Sequence, residues 1–263
     1  MRIHRIYCKS VSGSDSVFDL DQSQSDHLIK VLRLKVDDEV EAFDGKGLSA
    51  ICRIKEVNRK SIQLERISEM ECKEPFKEKL TAIIPLIKKE NLHFMVQKLS
   101  EIGVSDFVFY KPDLIDQSIA KKDHLKMLEK CEEVIINACK QCGSNFLPGS
   151  QMYLNINDAI DGLEDKTDVY VFDTQAIETF KANELLPERD VCIISGPESG
   201  FSESELETFK NKDLKMRIIG NNVLRAETCL LYTSPSPRDQ RGSGVGAGGG
   251  IKNGGGGGGG GGG

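Results

Sequence analysis

The amino-acid sequence predicts an α/β protein in which a small β-rich domain precedes a larger domain with a parallel sheet. Short segments that alternate apolar and polar residues fill residues 1–70, as in half-buried strands. From Leu80 onward, apolar strand-like runs alternate with segments whose apolar residues recur at helical spacing. Such alternation predicts a parallel sheet with right-handed crossovers. We therefore expect domains at residues 1–70 and 80–228, joined by a charged linker at residues 71–79 that Pro75 interrupts.

The amino-terminal domain is predicted to be a small barrel with one helix. Four strands are expected, at residues 3–7, 39–43, 49–54 and 61–64. Ser25 and Asp26 are typical of a helix amino terminus, and the helix is expected to carry His27, Leu28, Val31 and Leu32. Residues 44–47, Asp-Gly-Lys-Gly, indicate a hairpin turn between the second and third strands.

The second domain begins with a predicted strand at residues 80–86. A helix follows, whose apolar residues run from Leu92 to Ile102 and whose end is marked by Gly103. After a strand at residues 107–110, a longer helix is expected to end at Gly143. A strand at residues 169–172 then precedes two further Ile- and Val-rich runs.

These last two runs each stop at a glycine, and the residues that follow cannot continue a regular strand. Residues 191–201 contain Gly196, Pro197 and Gly200, and residues 216–228 contain Gly220 before two asparagines. At the carboxyl ends of parallel strands, such loops leave backbone N–H and C=O groups open to a ligand. The glycine spacing excludes both the P-loop and the dinucleotide-binding pattern. From spacing alone, a ligand-binding loop and a plain tight turn are both consistent with the sequence.

The charge balance argues against a protein that binds nucleic acid regardless of sequence. The chain has 35 Lys and Arg against 41 Asp and Glu, and residues 1–70 hold 12 of each sign. Binding of that kind needs clustered positive charge, whereas a local basic patch is enough to hold one folded RNA site. No apolar run approaches the ~20 residues of a membrane span, and a signal peptide is lacking, so we expect a cytoplasmic protein without a membrane segment.

The eight cysteines, without secretion signals, are expected to be reduced thiols. Cys139 and Cys142 form a C-x-x-C pair, which is compatible with redox chemistry or half of a zinc site. A second pair is missing, and both residues fit the apolar side of the predicted long helix. The sequence therefore favours packing over chemistry for this pair, and no bound metal is expected.

The two glycine loops, taken together, resemble the signature of one enzyme family. Residues 196–201 are GPESGF, and residues 219–228 are IGNNVLRAET. This pair is similar to the GPEGGF and LGxxILRxET motifs of the ribosomal RNA small subunit methyltransferase E family, which belongs to the SPOUT class. Ser199 replaces the first glycine of the usual pair. The resemblance implies a PUA-like barrel followed by a SPOUT domain with a trefoil knot, in which S-adenosylmethionine is bound in a bent conformation.

The resemblance also implies which residues form the site. The implied cofactor-binding residues are Phe172, Gly196, Pro197, Glu198, Gly200, Ile219, Gly220, Val223, Leu224 and Thr228. Arg225 is implied to steady a uracil anion or an RNA phosphate, while Glu227 or Glu198 either accepts a proton or braces the loop. The implied reaction is methyl transfer to N3 of a uridine in 16S ribosomal RNA, and members of the family are homodimers.

Residues 27–33, HLIKVLR, resemble the H-x-x-x-V-L-R stretch with which the family's PUA-like domain holds RNA. This resemblance implies phosphate contacts by Arg5, Arg33 and Lys35, with His27 beside them. For each side chain, a solvated charge or a hydrogen-bonded helix residue is the alternative interpretation. Residues 116–118 and 143–145 depart from the family pattern, and both departures remove positive charge.

Residues 229–263 differ in character from the rest of the chain. They begin with a stretch that looks like a translated sequencing adapter and continue as a glycine-rich run, so we expect an artefactual, disordered tail. We expect the family's closing helix to be missing, which would leave the knot incomplete. Two alternatives to an active methyltransferase follow: a noncatalytic RNA-binding protein that uses the barrel alone, and an acidic α/β protein that binds a small molecule.

Overall fold

The chain forms two six-stranded sheets, one in each domain. The computed structural model describes residues 3–58, 61–186 and 188–219. The strands of the first sheet are β1 His4–Tyr7, β2 Val17–Asp19, β3 Glu39–Phe43, β4 Leu48–Val57, β5 Ile62–Arg66 and β6 Glu71–Cys72. Their order is β1-β3-β4-β5-β2, with β6 paired to β4, and all pairs except β1 with β3 are antiparallel. The four predicted strands are thus found, and the Asp44–Gly47 turn joins β3 to β4 as expected.

Two short strands were not predicted. β2 has three residues and β6 has two, which is too short for an alternating pattern to be recognised. In β6, Glu71 and Cys72 pair with Ser49 and Leu48 of β4. The first sheet therefore extends into the segment that was predicted to be a linker.

The predicted start of the first helix is wrong. Helix α1 spans Gln22–Asp26, and its cap is Asp21, whose side chain accepts a hydrogen bond from the Gln24 N–H at 2.9 Å. Ser25 is instead buried, where its hydroxyl donates to the Leu20 carbonyl and accepts from the Ile62 N–H. One wider π-helical turn, His27–Val31, follows, and Val31 is 65 % exposed rather than part of the core.

The second sheet is entirely parallel, as predicted. Its strands are β7 Leu80–Pro85, β8 Asp106–Tyr110, β9 Gly149–Tyr153, β10 Asp168–Phe172, β11 Val191–Ser195 and β12 Lys215–Arg217. Their order across the sheet is β12-β10-β11-β7-β8-β9. The run before the second glycine loop was expected to be a buried strand, but β12 is a half-buried three-residue strand beside β10.

Helices cover both faces of this sheet. They are α2 Lys89–Ile102, α3 Gln117–Ala120, α4 His124–Cys142, α5 Ile156–Asp161 and α6 Glu203–Asn211. One face packs against the apolar sides of α2 and α4, and the other packs against α5 and α6. Gly103 and Gly143 end α2 and α4 with φ values of 97° and 84°, which confirms both predicted helix ends. Among the described residues, no helix has the length and hydropathy needed to cross a membrane.

Candidate functional site

The strands that lead into the two glycine motifs, β11 and β12, end at the same edge of the parallel sheet with β10 between them. Phe172, at the end of β10, lies opposite Ser195 of β11 on one side and Arg217 of β12 on the other. Because all three strands run in the same direction, the residues that follow them leave the sheet at the same edge. The described chain continues after β12 as far as Ile219. This edge is where open α/β sheets bind ligands.

The first loop is a tight turn whose glycines have separate structural reasons. The Gly200 N–H donates to the Pro197 carbonyl at 2.9 Å, and Gly200 itself has φ 79°. A Cβ atom at Gly200 would point into open space, whereas one at Gly196 would lie 3.0 Å from the Phe201 ring. Gly200 is therefore required by the backbone conformation, and Gly196 by the packing of Phe201.

The tip of this loop is tethered to two other segments. The Glu198 carboxylate accepts a hydrogen bond from Asn91 Nδ2 at 2.5 Å, and it lies 3.9 Å from Lys88 Nζ. The Ser199 hydroxyl donates to the Leu114 carbonyl at 2.9 Å. These contacts fix the loop against the start of α2 and against the segment after β8. The carboxylate of Glu198 is thus engaged in contacts with the segment at the start of α2.

A polar cluster at the start of α6 supports the loop from its other end. The Asp113 carboxylate accepts hydrogen bonds from the Ser202 and Ser204 hydroxyls at 2.6 and 2.7 Å, and both bonds lower its pKa. Glu205 is buried, which raises its pKa, and its carboxylate accepts from the N–H groups of Ser202 and Asp113. Sequence analysis missed this cluster, although Ser202-x-x-Glu205 is a capping-box pattern directly after GPESGF.

The segment after β10 packs against the end of β12. Phe180 makes edge-to-face contacts with Tyr170 and Phe172, and its N–H donates to the Ile218 carbonyl. The Arg217 guanidinium lies 2.8 Å from Glu178 and 2.9 Å from Glu184. The second glycine loop therefore begins from a braced strand.

Two of the predicted cofactor-binding side chains are buried in the domain core. Phe172 and Ile219 are 4 % and 7 % exposed and belong to the core of the domain. The residues Gly220, Val223, Leu224, Arg225, Glu227 and Thr228 lie outside the described residues, as does the predicted tail.

A cavity of ≈ 350 Å³ opens at the same edge, next to the first glycine loop. It lies beyond β11 on the side of β7 and β8, because residues that follow these strands line it. Its apolar lining consists of Leu86, Ile87, Leu114, Ile115, Ile119 and Pro197. Lys88, Asp116, Glu198 and Ser199 complete the lining. The loop tip at residues 197–199 thus forms one wall of the cavity.

The structure places Arg5 between the two domains instead of on an open surface, which corrects its prediction as a phosphate contact. Its side chain is 10 % exposed, and Nε lies 3.1 Å from Glu41 Oε2. Nη1 donates to the carbonyls of Cys139 and Ser144, and Nη2 donates to Asn145 Oδ1. The Arg5 guanidinium therefore joins β1 to the end of α4.

The other three candidate RNA contacts lie at or near the surface of the amino-terminal domain. Arg33 and Lys35 are exposed, and Arg33 has φ 55° in the turn that follows the helix. His27 is half-buried, and its pKa is lowered by burial and by the nearby charges of Lys140 and His4. Lys140 belongs to α4 of the second domain, so His27 borders the domain interface.

The C-x-x-C pair also lies near this interface. Cys139 is buried and Cys142 is half-buried on α4, and both are free thiols. The neighbouring Cys139 side chain lowers the pKa of Cys142, with help from the Ser144 backbone and from the charge of Arg5. Among the described residues, no group of three or more His, Cys, Asp and Glu side chains has an arrangement that would hold a metal ion.

Comparison with known proteins finds two family models that match the chain. Residues 73–235 match the RNA methyltransferase domain family, and residues 20–65 match the RNA methyltransferase PUA domain family. The ribosomal RNA small subunit methyltransferase E of Rickettsia conorii is 27 % identical over 236 residues, which cover 88 % of this chain and 93 % of the relative. The protein of that name from Buchnera aphidicola of Schizaphis graminum is 29 % identical over 243 residues, with the same shares of coverage.

Solved structures agree in fold. A ribosomal RNA small subunit methyltransferase E from Neisseria gonorrhoeae, bound to S-adenosylmethionine, has a TM-score of 0.78 at 22 % identity. The match covers 88 % of this chain and 95 % of the Neisseria gonorrhoeae chain. A predicted RNA methyltransferase from Thermotoga maritima has a TM-score of 0.68 at 27 % identity, with coverage of 88 % and 94 %. The predicted α/β architecture with a PUA domain is confirmed.

The family match extends over more than half of the chain and includes the sheet, both glycine loops and the segments that brace them. The resemblance predicted from GPESGF and IGNNVLRAET is therefore confirmed: the chain belongs to the RNA methyltransferase family, alongside the ribosomal RNA small subunit methyltransferases E.

Proposed function

We propose that this chain transfers a methyl group from S-adenosylmethionine to N3 of a uridine in small-subunit ribosomal RNA. The observation that carries the proposal is that β11 and β12, the strands that lead into the two glycine motifs, end at one edge of the parallel sheet within the segment that matches the RNA methyltransferase domain. The relatives' names supply the class of RNA, and the family resemblance supplies the uridine and its N3 atom.

The loop residues fit a cofactor that is held mainly by backbone groups. Position 200 carries no side chain, and the space beside its Cα is open. The turn at residues 197–200 is held by its own hydrogen bond and by the two tethers of the loop tip, so it is formed before any ligand arrives. Residues 196–200 and the chain after Arg217 would hold the cofactor, which supplies an electrophilic methyl group on a sulfonium. Pre-formed contacts of this kind reduce the cost of binding.

The task of the protein toward the RNA is positioning. The N3 atom of uracil carries a proton at neutral pH, and this proton must leave as the new N–C bond forms. Because N3 lies on the pairing edge, the base must be unpaired or flipped out of its stack. Because the Glu198 carboxylate is engaged in contacts that brace the loop, we assign Glu227 as the acceptor of the N3 proton. Arg225 is assigned to stabilise the uracil anion. Arg33 and Lys35 are assigned to RNA phosphates, because both are exposed.

The proposal has three remaining parts: a homodimer, a knot at the cofactor site and a cytoplasmic location. All three follow from the family resemblance, and the location also agrees with a ribosomal RNA substrate. Analytical ultracentrifugation over a range of protein concentrations tests the dimer directly. A single species with the mass of one chain at every concentration would exclude it.

The reaction is tested with S-adenosylmethionine that carries a tritiated methyl group and with small ribosomal subunits that lack the modification. Calorimetric titration first measures cofactor binding, and digestion of the labelled RNA to nucleosides then identifies the product by mass spectrometry. We expect 3-methyluridine. Another labelled nucleoside would refute the N3 assignment, whereas a folded protein that binds the RNA but not the cofactor would favour the noncatalytic alternative.

A further inference from the structure

The cavity beside the first glycine loop has the size and lining of a site for a flat ring. Its ≈ 350 Å³ lies within the range of about 300–1,000 Å³ that is usual for ligand pockets. Leu86, Ile115 and Pro197 give it walls from three separate segments of the chain. Leu114 also lines it and is 48 % exposed, so an apolar surface is open there to an incoming group.

Charged groups of both signs stand at the cavity and suit a nucleotide. Asp116 lines it and accepts hydrogen bonds only, whereas Lys88 lines it and donates only. The pKa of Asp116 is lowered by hydrogen bonds from Ser118 and, to a smaller extent, by the charges of Lys88 and Lys122. A nucleotide presents apolar ring faces, donors and acceptors at the ring edge, and a phosphate that attracts lysines.

The position of the cavity relates it to the proposed cofactor site. Residues 197–199 form its wall, and the same loop borders the edge where β10 and β12 end. The tethers from Glu198 to Asn91 and from Ser199 to Leu114 hold this shared wall in place. A methyl donor and its acceptor must approach to about 3–3.5 Å, so the acceptor base needs a place next to the cofactor loop.

We propose that this cavity receives the target nucleobase of the RNA after it has left its stack. The inference rests on the proposed function, since it assigns a place to the acceptor of the methyl group. The walls formed by the segments after β7 and β8 would hold the ring faces, and Lys88, which lines the cavity, would face the backbone phosphate. In this arrangement the RNA base binds in the cavity, and the cofactor binds on the opposite side of the loop at residues 196–200.

Leu114→Ala tests this assignment, because Leu114 is partly exposed and its truncation leaves the domain core intact. Leu154→Ala is the matched control: Leu154 follows β9 at the same edge of the sheet, is 77 % exposed and does not line the cavity. We expect Leu114→Ala to lower kcat/KM on unmodified small subunits roughly tenfold, since that is the usual effect of lost apolar contact in a pocket. Its affinity for S-adenosylmethionine, measured by calorimetry, should equal that of the wild type, and Leu154→Ala should match the wild type in both measurements.

A second readout does not depend on catalysis. A small-subunit RNA fragment with 4-thiouridine at the target position is irradiated in complex with the protein, and the cross-linked peptide is identified by mass spectrometry. We expect the cross-link within residues 86–88, 114–119 or 197–199. If the cross-link forms elsewhere and Leu114→Ala turns over substrate like the wild type, the cavity does not receive the base. The proposed function would be unaffected by that result.

Two further outcomes are distinguishable from that one. If Leu114→Ala weakens cofactor binding by the same factor as turnover, the cavity belongs to the cofactor, and the assignment to the base is wrong. If the wild type itself neither binds S-adenosylmethionine nor transfers a methyl group, the proposed function fails and the cavity assignment fails with it.

Discussion

Replacement of Arg5 by alanine is expected to lower the free energy of unfolding by about 1.5–3 kcal/mol, the usual contribution of hydrogen bonds to a charged group. The Arg5 side chain is 10 % exposed, and its guanidinium is within 3.1 Å of the Glu41 carboxylate. The carbonyls of Cys139 and Ser144, at 3.0 and 3.3 Å, would lose their donor at the same time. Arg5 also lies 4.6 Å from the centre of the Phe43 ring, so packing is lost as well as charge.

Arg53→Ala provides the matched control for this prediction. Arg53 also lies on the first sheet and pairs with a glutamate, Glu39, but the two side chains are 44 % and 45 % exposed at a separation of 3.5 Å. Exposed pairs of this kind contribute only about 0–1 kcal/mol. Urea unfolding followed by circular dichroism measures both variants. Because Arg5 joins the two domains, its loss should also separate the unfolding into two transitions.

The measurement also separates two interpretations of Arg5. A phosphate contact, as the family resemblance implied, would leave stability unchanged and weaken RNA binding. The reasoning from the structure is refuted if Arg5→Ala unfolds at the same urea concentration as the wild type. Arg5→Lys adds a further check, because lysine keeps the charge but lacks the planar fork that reaches two carbonyls and a carboxylate at once.

Three further predictions concern the second domain. Ser202→Ala should lower the free energy of unfolding by about 1 kcal/mol, because the capping box with Glu205 is lost; urea unfolding that coincides with the wild type would contradict this role. Phe209→Ala should lower the free energy of unfolding by about 3–5 kcal/mol, since the ring is fully buried against Phe201. A loss below about 1 kcal/mol would contradict this prediction, because it would mean that neighbouring side chains fill the space left by the ring. Cys142 should react with iodoacetamide at a lower pH than free cysteine does in the same buffer, because its pKa is lowered from the usual value of about 8.5; mass spectrometry from pH 5 to pH 9 would contradict the lowered pKa if the two curves coincide.

Sequence patterns identified those parts of the fold that depend on local periodicity. Strand β3 was predicted with its observed limits, and the glycines after α2 and α4 were recognised because a left-handed residue at a helix end favours glycine. The first helix was placed too late because several Ser and Asp residues in this region are suitable caps. Only the packing against Leu20 and Ile62 shows that Ser25 is a buried residue and not a cap.

Some features of the candidate site were likewise predicted from the sequence, whereas others depend on the tertiary structure. Gly196 and Gly200 were found from the sequence, and the motif that contains them identified the family, because a backbone turn leaves a local signature. The sequence did not predict that Glu198 is held by Asn91 or that Ser199 bonds to the Leu114 carbonyl. These partners are 107 and 85 residues apart along the chain, and only the parallel strand order brings them together.

The sequence by itself determined the class of fold and the family, since both depend on spacing and residue type within short segments. The tertiary structure decided the role of Arg5. Its positive charge alone suggests a contact at the protein surface, but the packing of β1 against α4 places the guanidinium between the two domains. The tertiary structure also decided the position of the cavity, because its walls come from residues that follow three different strands. Periodicity records which side of an element is buried, but the partner that buries it depends on contacts between distant segments.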